Sequence, residues 1–213
     1  MWISRLDPPW KHRVKVLMRV VEGMRYLQEE WPEVGYDLKS SSILLAEDRE
    51  PLISRFRIED QSSCNKKAYK FGVLLLEMVT NRSPRKEFER GEAGFVEWVR
   101  MHFPKNVCSL IDEKKKRTEH TLDQATRSIE LGLMCTDMSR GMQPRLDQIF
   151  EKLTAIYNSI LAWHLQTGRG CKEKEQLDTD ISNQNEAYPC KILANISYAF
   201  EFLMRVMNLH IND

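Results

Sequence analysis

The sequence predicts a mainly α-helical fold with one short β-hairpin and an extra helix at its C-terminal end. Two observations carry this. Apolar residues return at three- and four-residue steps through most of the chain, and at one place that period gives way to paired short apolar runs around a charged turn. A helix needs the first pattern to turn one face to a core, and two tightly joined strands fit the second.

The elements follow in order. From Trp10 the apolar residues Trp10, Val14, Leu17, Val21 and Met24 alternate with Lys11, Lys15, Arg19 and Glu22, the pattern of an amphipathic helix. After Trp31-Pro32, the runs Ile43-Leu44-Leu45 and Pro51-Leu52-Ile53 flank the charged stretch Glu47 to Glu50 and predict two strands. Ala68 to Val79 is apolar on nearly every face, which predicts a helix buried in the middle of a domain, stopped by Thr80 to Pro84. Phe95, Val96, Trp98 and Val99 predict a short helix with two large anchors, and Leu122, Ala125, Ile129 and Leu133 another. The stripe Leu146, Ile149, Phe150, Leu153, Ile156, Tyr157 and Ile160 is the cleanest of all, with Pro144 suited to a helix start. Residues 164–190 are poor in large apolar side chains and read as a linker, and Ile192, Ile196, Ala199, Leu203 and Val206 predict an appended amphipathic helix within 191–213.

Composition narrows the function. The 213 residues hold 32 Lys plus Arg against 31 Asp plus Glu, so no global charge draws the protein to nucleic acid or acidic lipid. The run Lys114-Lys115-Lys116-Arg117 reads as a solvated loop. Five cysteines, Cys64, Cys108, Cys135, Cys171 and Cys190, have no CxxC spacing and no histidines completing a zinc pattern, which predicts free thiols. No stretch reaches the ~18 apolar residues of a membrane span, and the first residues lack a signal peptide's apolar core. The expectation is a soluble, cytoplasmic chain, for which the sequon Asn195-Ile196-Ser197 is only formal.

Four phrases then occur in a telling order. Gly23-Met24-Arg25-Tyr26-Leu27, Asp37-Leu38-Lys39-Ser40-Ser41-Ser42-Ile43-Leu44-Leu45, Tyr69-Lys70-Phe71-Gly72-Val73-Leu74-Leu75-Leu76-Glu77 and Phe95-Val96-Glu97-Trp98-Val99 resemble the corresponding phrases of the C-terminal lobe of plant leucine-rich-repeat receptor-like protein kinases. The resemblance covers about residues 5–163. It implies a protein-kinase-like C-lobe over residues 1–163, with the hairpin beside the former active site, and plasma-membrane location for full-length relatives.

The same resemblance assigns roles and exposes departures. It makes Asp37 the acceptor of the substrate hydroxyl proton, Lys39 the cation that steadies the transferred phosphate, and Leu44 the floor beneath adenine. Ser42 stands where the family has a magnesium-binding Asn. In Ile53-Ser54-Arg55-Phe56-Arg57 the cation Arg55 replaces the Asp that holds magnesium, and a fixed cation opposes a divalent ion instead of binding it. Gly35 replaces the family's His, Lys67 the Asp that ties the buried helix to the catalytic loop, and Gln143-Pro144 an Arg-Pro whose Arg pairs with a Glu of the activation segment. Only Ile58 to Ala68 stand where that segment belongs, only 36 residues precede Asp37, and no GxGxxG occurs.

The expectation is therefore a degenerate kinase-like lobe without N-lobe or activation segment, in which Asp37 and Lys39 are relics. It would act as a non-catalytic pseudokinase-type binding or scaffold module or be a decayed receptor-like kinase, with no cofactor, and another protein would meet the face that relatives turn to their N-lobe. ATP and magnesium belong to the alternative in which the family's serine/threonine kinase activity survives.

Overall fold

The computed structural model describes residues 9–32, 34–45, 51–53, 56–58, 66–111, 119–139 and 143–166. Arg55, the basic run 114–117, Cys64, Cys171, Cys190, the linker beyond residue 166 and the appended segment 191–213 lie outside the described residues.

Helix α1 (Trp10–Glu30) buries the predicted stripe, with Val14, Leu17, Val21 and Met24 all fully enclosed. It ends where Trp31 turns its N–H back to the Leu27 carbonyl, at 3.1 Å, and Pro32 forbids another turn. Four three-residue strands follow: β1 (Val34–Tyr36), β2 (Ile43–Leu45), β3 (Pro51–Ile53) and β4 (Phe56–Ile58). β2 and β3 form the predicted hairpin, Ile43 opposite Ile53. A second antiparallel pair, β1 with β4, places Val34 opposite Ile58, and nothing local in the sequence announces it. The segment 37–42 lies between β1 and β2, so both ends of the candidate catalytic loop are held by ladders, and a 3-10 turn at Ser40–Ser42 leads into β2.

Helix α2 (Lys66–Thr80) is the central post, with every residue from Phe71 to Thr80 buried. It ends at Asn81, whose φ of 58° is a left-handed conformation that Asn tolerates better than most side chains. The buried guanidinium of Arg13 on α1 donates to the Met78 carbonyl at 2.7 Å, satisfying one of the last-turn carbonyls of α2. Short α3 (Pro84–Glu87) and α4 (Gly91–His102) come next, then α5 (Val107–Leu110), α6 (Glu119–Cys135) and α7 (Leu146–Gln166).

The helices assemble by close approach. α2 lies against α6, and α7 packs on both α1 and α6. At the α2–α6 crossing a Cβ on Gly72 would stand 2.7 Å from the Cys135 Cβ and 2.8 Å from the Gly132 carbonyl, so the backbones meet where only glycine fits. The start of α7 is closed by its own first turn, where the Gln148 side chain accepts the Arg145 N–H at 3.0 Å. Each fully buried Leu or Phe of this core, such as Leu74 or Phe71, contributes about 2 kcal/mol by leaving water. The described cysteines, buried Cys135 and exposed Cys108, are free thiols. Among the described residues no helix is long and apolar enough to cross a membrane.

Candidate functional site

The candidate site is the turn between β1 and β2 where it meets α2. Leu38, 3% exposed, plugs the turn into the core, which turns its neighbours Asp37 and Lys39 the other way, both half-buried. Lys39 Nζ donates to Asp37 Oδ2 at 2.6 Å, and the Ser42 hydroxyl donates to the same oxygen at 3.4 Å. Burial opposes the charge of Asp37, but the hydrogen bond and charge of Lys39 outweigh it, with Lys70 and Ser42 assisting, and hold the carboxyl below its usual value. The structure thus brings Asp37, Lys39 and Ser42 together. Leu44 lies in β2, where its side chain is outside the described residues, as is all of Arg55.

The turn is anchored below by a residue that the motif reading passed over. Ser40 Oγ donates to Glu77 Oε1 at 2.7 Å, and both side chains are buried. Burial pushes the Glu77 carboxyl up to about 7; the hydrogen bonds from the Ser40 hydroxyl and backbone work against that rise, and Glu92 adds to it. The signal for Glu77 was present, since it is the one charged residue in the otherwise apolar run Phe71 to Val79. A cleft of about 340 Å³ opens above this pair, walled by Lys39, Lys70, Val73, Pro84, Arg85 and Glu92.

Lys67, in the first turn of α2, lies 5.5 Å from the centre of the Tyr36 ring. A cation on an aromatic face joins α2 to the strand that enters the candidate loop, where the resemblance has an Asp. Gln143 lines a separate cleft of about 250 Å³ with Arg25, Lys67 and Asp147; there Arg25 pairs with Asp147 at 2.8 Å and sits 5.4 Å over the Phe150 ring.

The donors around Asp37 do not fit a magnesium ion. Magnesium asks for several oxygen acceptors in octahedral array, whereas Asp37 Oδ2 already receives an ammonium and a hydroxyl, and the oxygen at position 42 belongs to a fully buried serine. Among the described residues no three His, Cys, Asp or Glu side chains cluster as a metal site.

Comparisons with known proteins accord with this geometry. No protein-family model matches the chain. Curated relatives are plant receptor-like kinases at low identity over most of the chain. A probable L-type lectin-domain containing receptor kinase VII.2 of Arabidopsis thaliana is 22% identical over 223 residues, covering 83% of this chain and 32% of the relative. From the same plant, the serine/threonine-protein kinase PBL36 is 26% identical, covering 72% and 39%, and a probably inactive leucine-rich repeat receptor-like protein kinase is 27% identical, covering 71% and 21%. The chain thus spans between about a fifth and two fifths of the length of these relatives. Among solved structures, the pseudokinase domain of BIR2, an immune regulator of the RLK/Pelle family, aligns with a TM-score of 0.59 at 21% identity, covering 80% of this chain and 56% of that one. An apo pseudokinase aligns with a TM-score of 0.57 at 19% identity, covering 71% and 54%. At these identities the likeness shows the fold, a kinase-like C-lobe.

Proposed function

We propose that this chain, whose relatives are plant receptor-like kinases and whose fold is that of pseudokinase domains, is a non-catalytic module that acts by binding another protein. The observation that carries the reading is the engagement of Asp37 Oδ2 by Lys39 and Ser42. A catalytic base must offer its carboxylate to the hydroxyl it deprotonates, and here Oδ2 of Asp37 already accepts from Lys39 at 2.6 Å and from the serine that stands where the resemblance has a magnesium ligand. Arg55, a cation in place of the second magnesium ligand of the resemblance, supports the same reading from sequence.

The partner surface expected from sequence is the face that relatives turn to their N-lobe. Trp98 is a poorer anchor than its size suggests. It packs against Phe88 and Phe95 and lies under the Arg82 guanidinium at 4.9 Å, so part of its surface is already used within the fold.

A second reading, a serine/threonine kinase that binds ATP, rests on the retention of Asp37 and Lys39. Thermal-shift titration of residues 1–213 with ATP, with and without magnesium, separates the two. The binding-module reading expects no magnesium-dependent rise in Tm and no phosphate transfer from labelled ATP. Transfer that disappears in Asp37→Asn overturns it. A single cooperative melt supports a maintained fold over a decayed one, and recovery of one stoichiometric protein partner supports the binding role.

A further inference from the structure

Between Phe71 and Val79 of α2, Glu77 is the one ionisable side chain, and it is 6% exposed among Leu74, Leu75, Leu76, Met78 and Val79, which are all buried. A carboxylate so placed needs a cation or several donors, yet among the described residues its partners are neutral, the hydroxyl of Ser40 at 2.7 Å and the Ser40 backbone. Charged groups of the described residues line the cleft beside it. Asp37 and Lys39 on the loop are engaged with each other, Lys70 stands on α2 itself, Arg85 and Lys86 on α3, and Glu92 on α4. Arg13 of α1 gives its guanidinium to the neighbouring Met78 carbonyl.

We propose that Glu77 is a pH-responsive tie between α2 and the Ser40–Ser42 turn: ionised, it grips Ser40 through a charge-assisted hydrogen bond, and protonated, it lets the turn and the Asp37–Lys39 pair above it loosen. A bond to a carboxylate is roughly twice as strong as one to a neutral acid. The turn itself is short, closed by the Ser42 N–H on the Lys39 carbonyl at 2.8 Å, so its anchorage to α2 decides how firmly it is held. Burial and Glu92 bring the Glu77 carboxyl to about 7, which sets the change within the physiological range. The device is independent of whether the module binds a partner.

Amide hydrogen exchange at Ser42 in the full chain, corrected for intrinsic rate, tests the tie between pH 6 and 8. Protection against the local opening that parts Ser40 from a still-buried Glu77 should rise roughly threefold or more toward pH 8, although ionisation of the same carboxyl lowers global stability. Glu77→Gln should stay near the low-pH level throughout. Ser40→Ala, which keeps the carboxyl and loses the hydroxyl, should at least halve the rise and decides the matter if the Gln variant does not fold. A wild-type protein with no response, or a response undiminished in either variant, overturns the proposal. So does a Glu77 side-chain carbon signal that titrates in the ordinary carboxylate range.

Discussion

Lys39 Nζ rests 2.6 Å from Asp37 Oδ2, so the two side chains to which the resemblance gives catalytic roles are engaged with each other. Lys39→Met should therefore raise the Asp37 pKa, because the hydrogen bond and the charge that offset burial both leave. Being depressed in the folded protein, this carboxyl adds stability that is present above its unfolded value and lost as pH falls through the folded one. Carboxyl-carbon NMR titration measures the change, and an unmoved Asp37 would mean that the pair does not persist in solution.

Restoring the family's residue at position 42 should not restore metal binding. Ser42 is fully buried and its hydroxyl meets Asp37 at 3.4 Å, so the larger amide of Ser42→Asn overfills the turn. A loss of about 1–3 kcal/mol is expected in denaturant unfolding. Magnesium with ATP should leave the variant's Tm unchanged, since Lys39 still occupies the carboxylate.

How much of this was legible depends on the range of the interaction. The α1 stripe Val14, Leu17, Val21, Met24 could be read directly, because helix burial repeats every turn. The hairpin of Ile43–Leu45 with Pro51–Ile53 was readable for the same local reason. The β1–β4 pairing was not, since Val34 and Ile58 lie far apart along the chain and three residues carry no period. In the site, wording identified Asp37, Lys39 and Ser42, but their mutual contact depends on how the loop folds. The Ser40–Glu77 bond crosses from loop to helix, and only the incongruity of a Glu in an apolar run hinted at it.

The α2–α6 crossing gives a test of packing alone. Gly72→Ala places a methyl group 2.7 Å from the Cys135 Cβ and 2.8 Å from the Gly132 carbonyl, a backbone atom that cannot swing aside. Destabilisation of about 2–3 kcal/mol follows, read as a lower urea midpoint at an unchanged m-value.

Arg13 supplies a different kind of anchor. Its guanidinium is fully buried and donates to the Met78 carbonyl at 2.7 Å, in the last turn of α2. Arg13→Met keeps the length and apolar stem but leaves that carbonyl without this donor, at a cost of about 1–3 kcal/mol. Exchange at the α2 C-terminal amides should quicken more than exchange at α6; uniform quickening would argue against a local capping role.

Glu77 contributes a pH dependence of definite sign near neutrality. Its pKa rises on folding from an ordinary 4.5 to about 7, so between these values the folded state binds the extra proton. Stability should therefore fall as pH rises through that window and level off above it, by on the order of 3 kcal/mol in all. The ionised carboxylate grips Ser40 more firmly, yet its lost hydration outweighs the bonds from the Ser40 hydroxyl and backbone. Glu77→Gln retains an acceptor for Ser40 without a charge, so the variant should lack this fall and be the more stable protein at pH 8. Unfolding free energies of both proteins at pH 5, 6, 7 and 8 decide it. Parallel profiles would mean that the buried carboxyl is not what sets the slope.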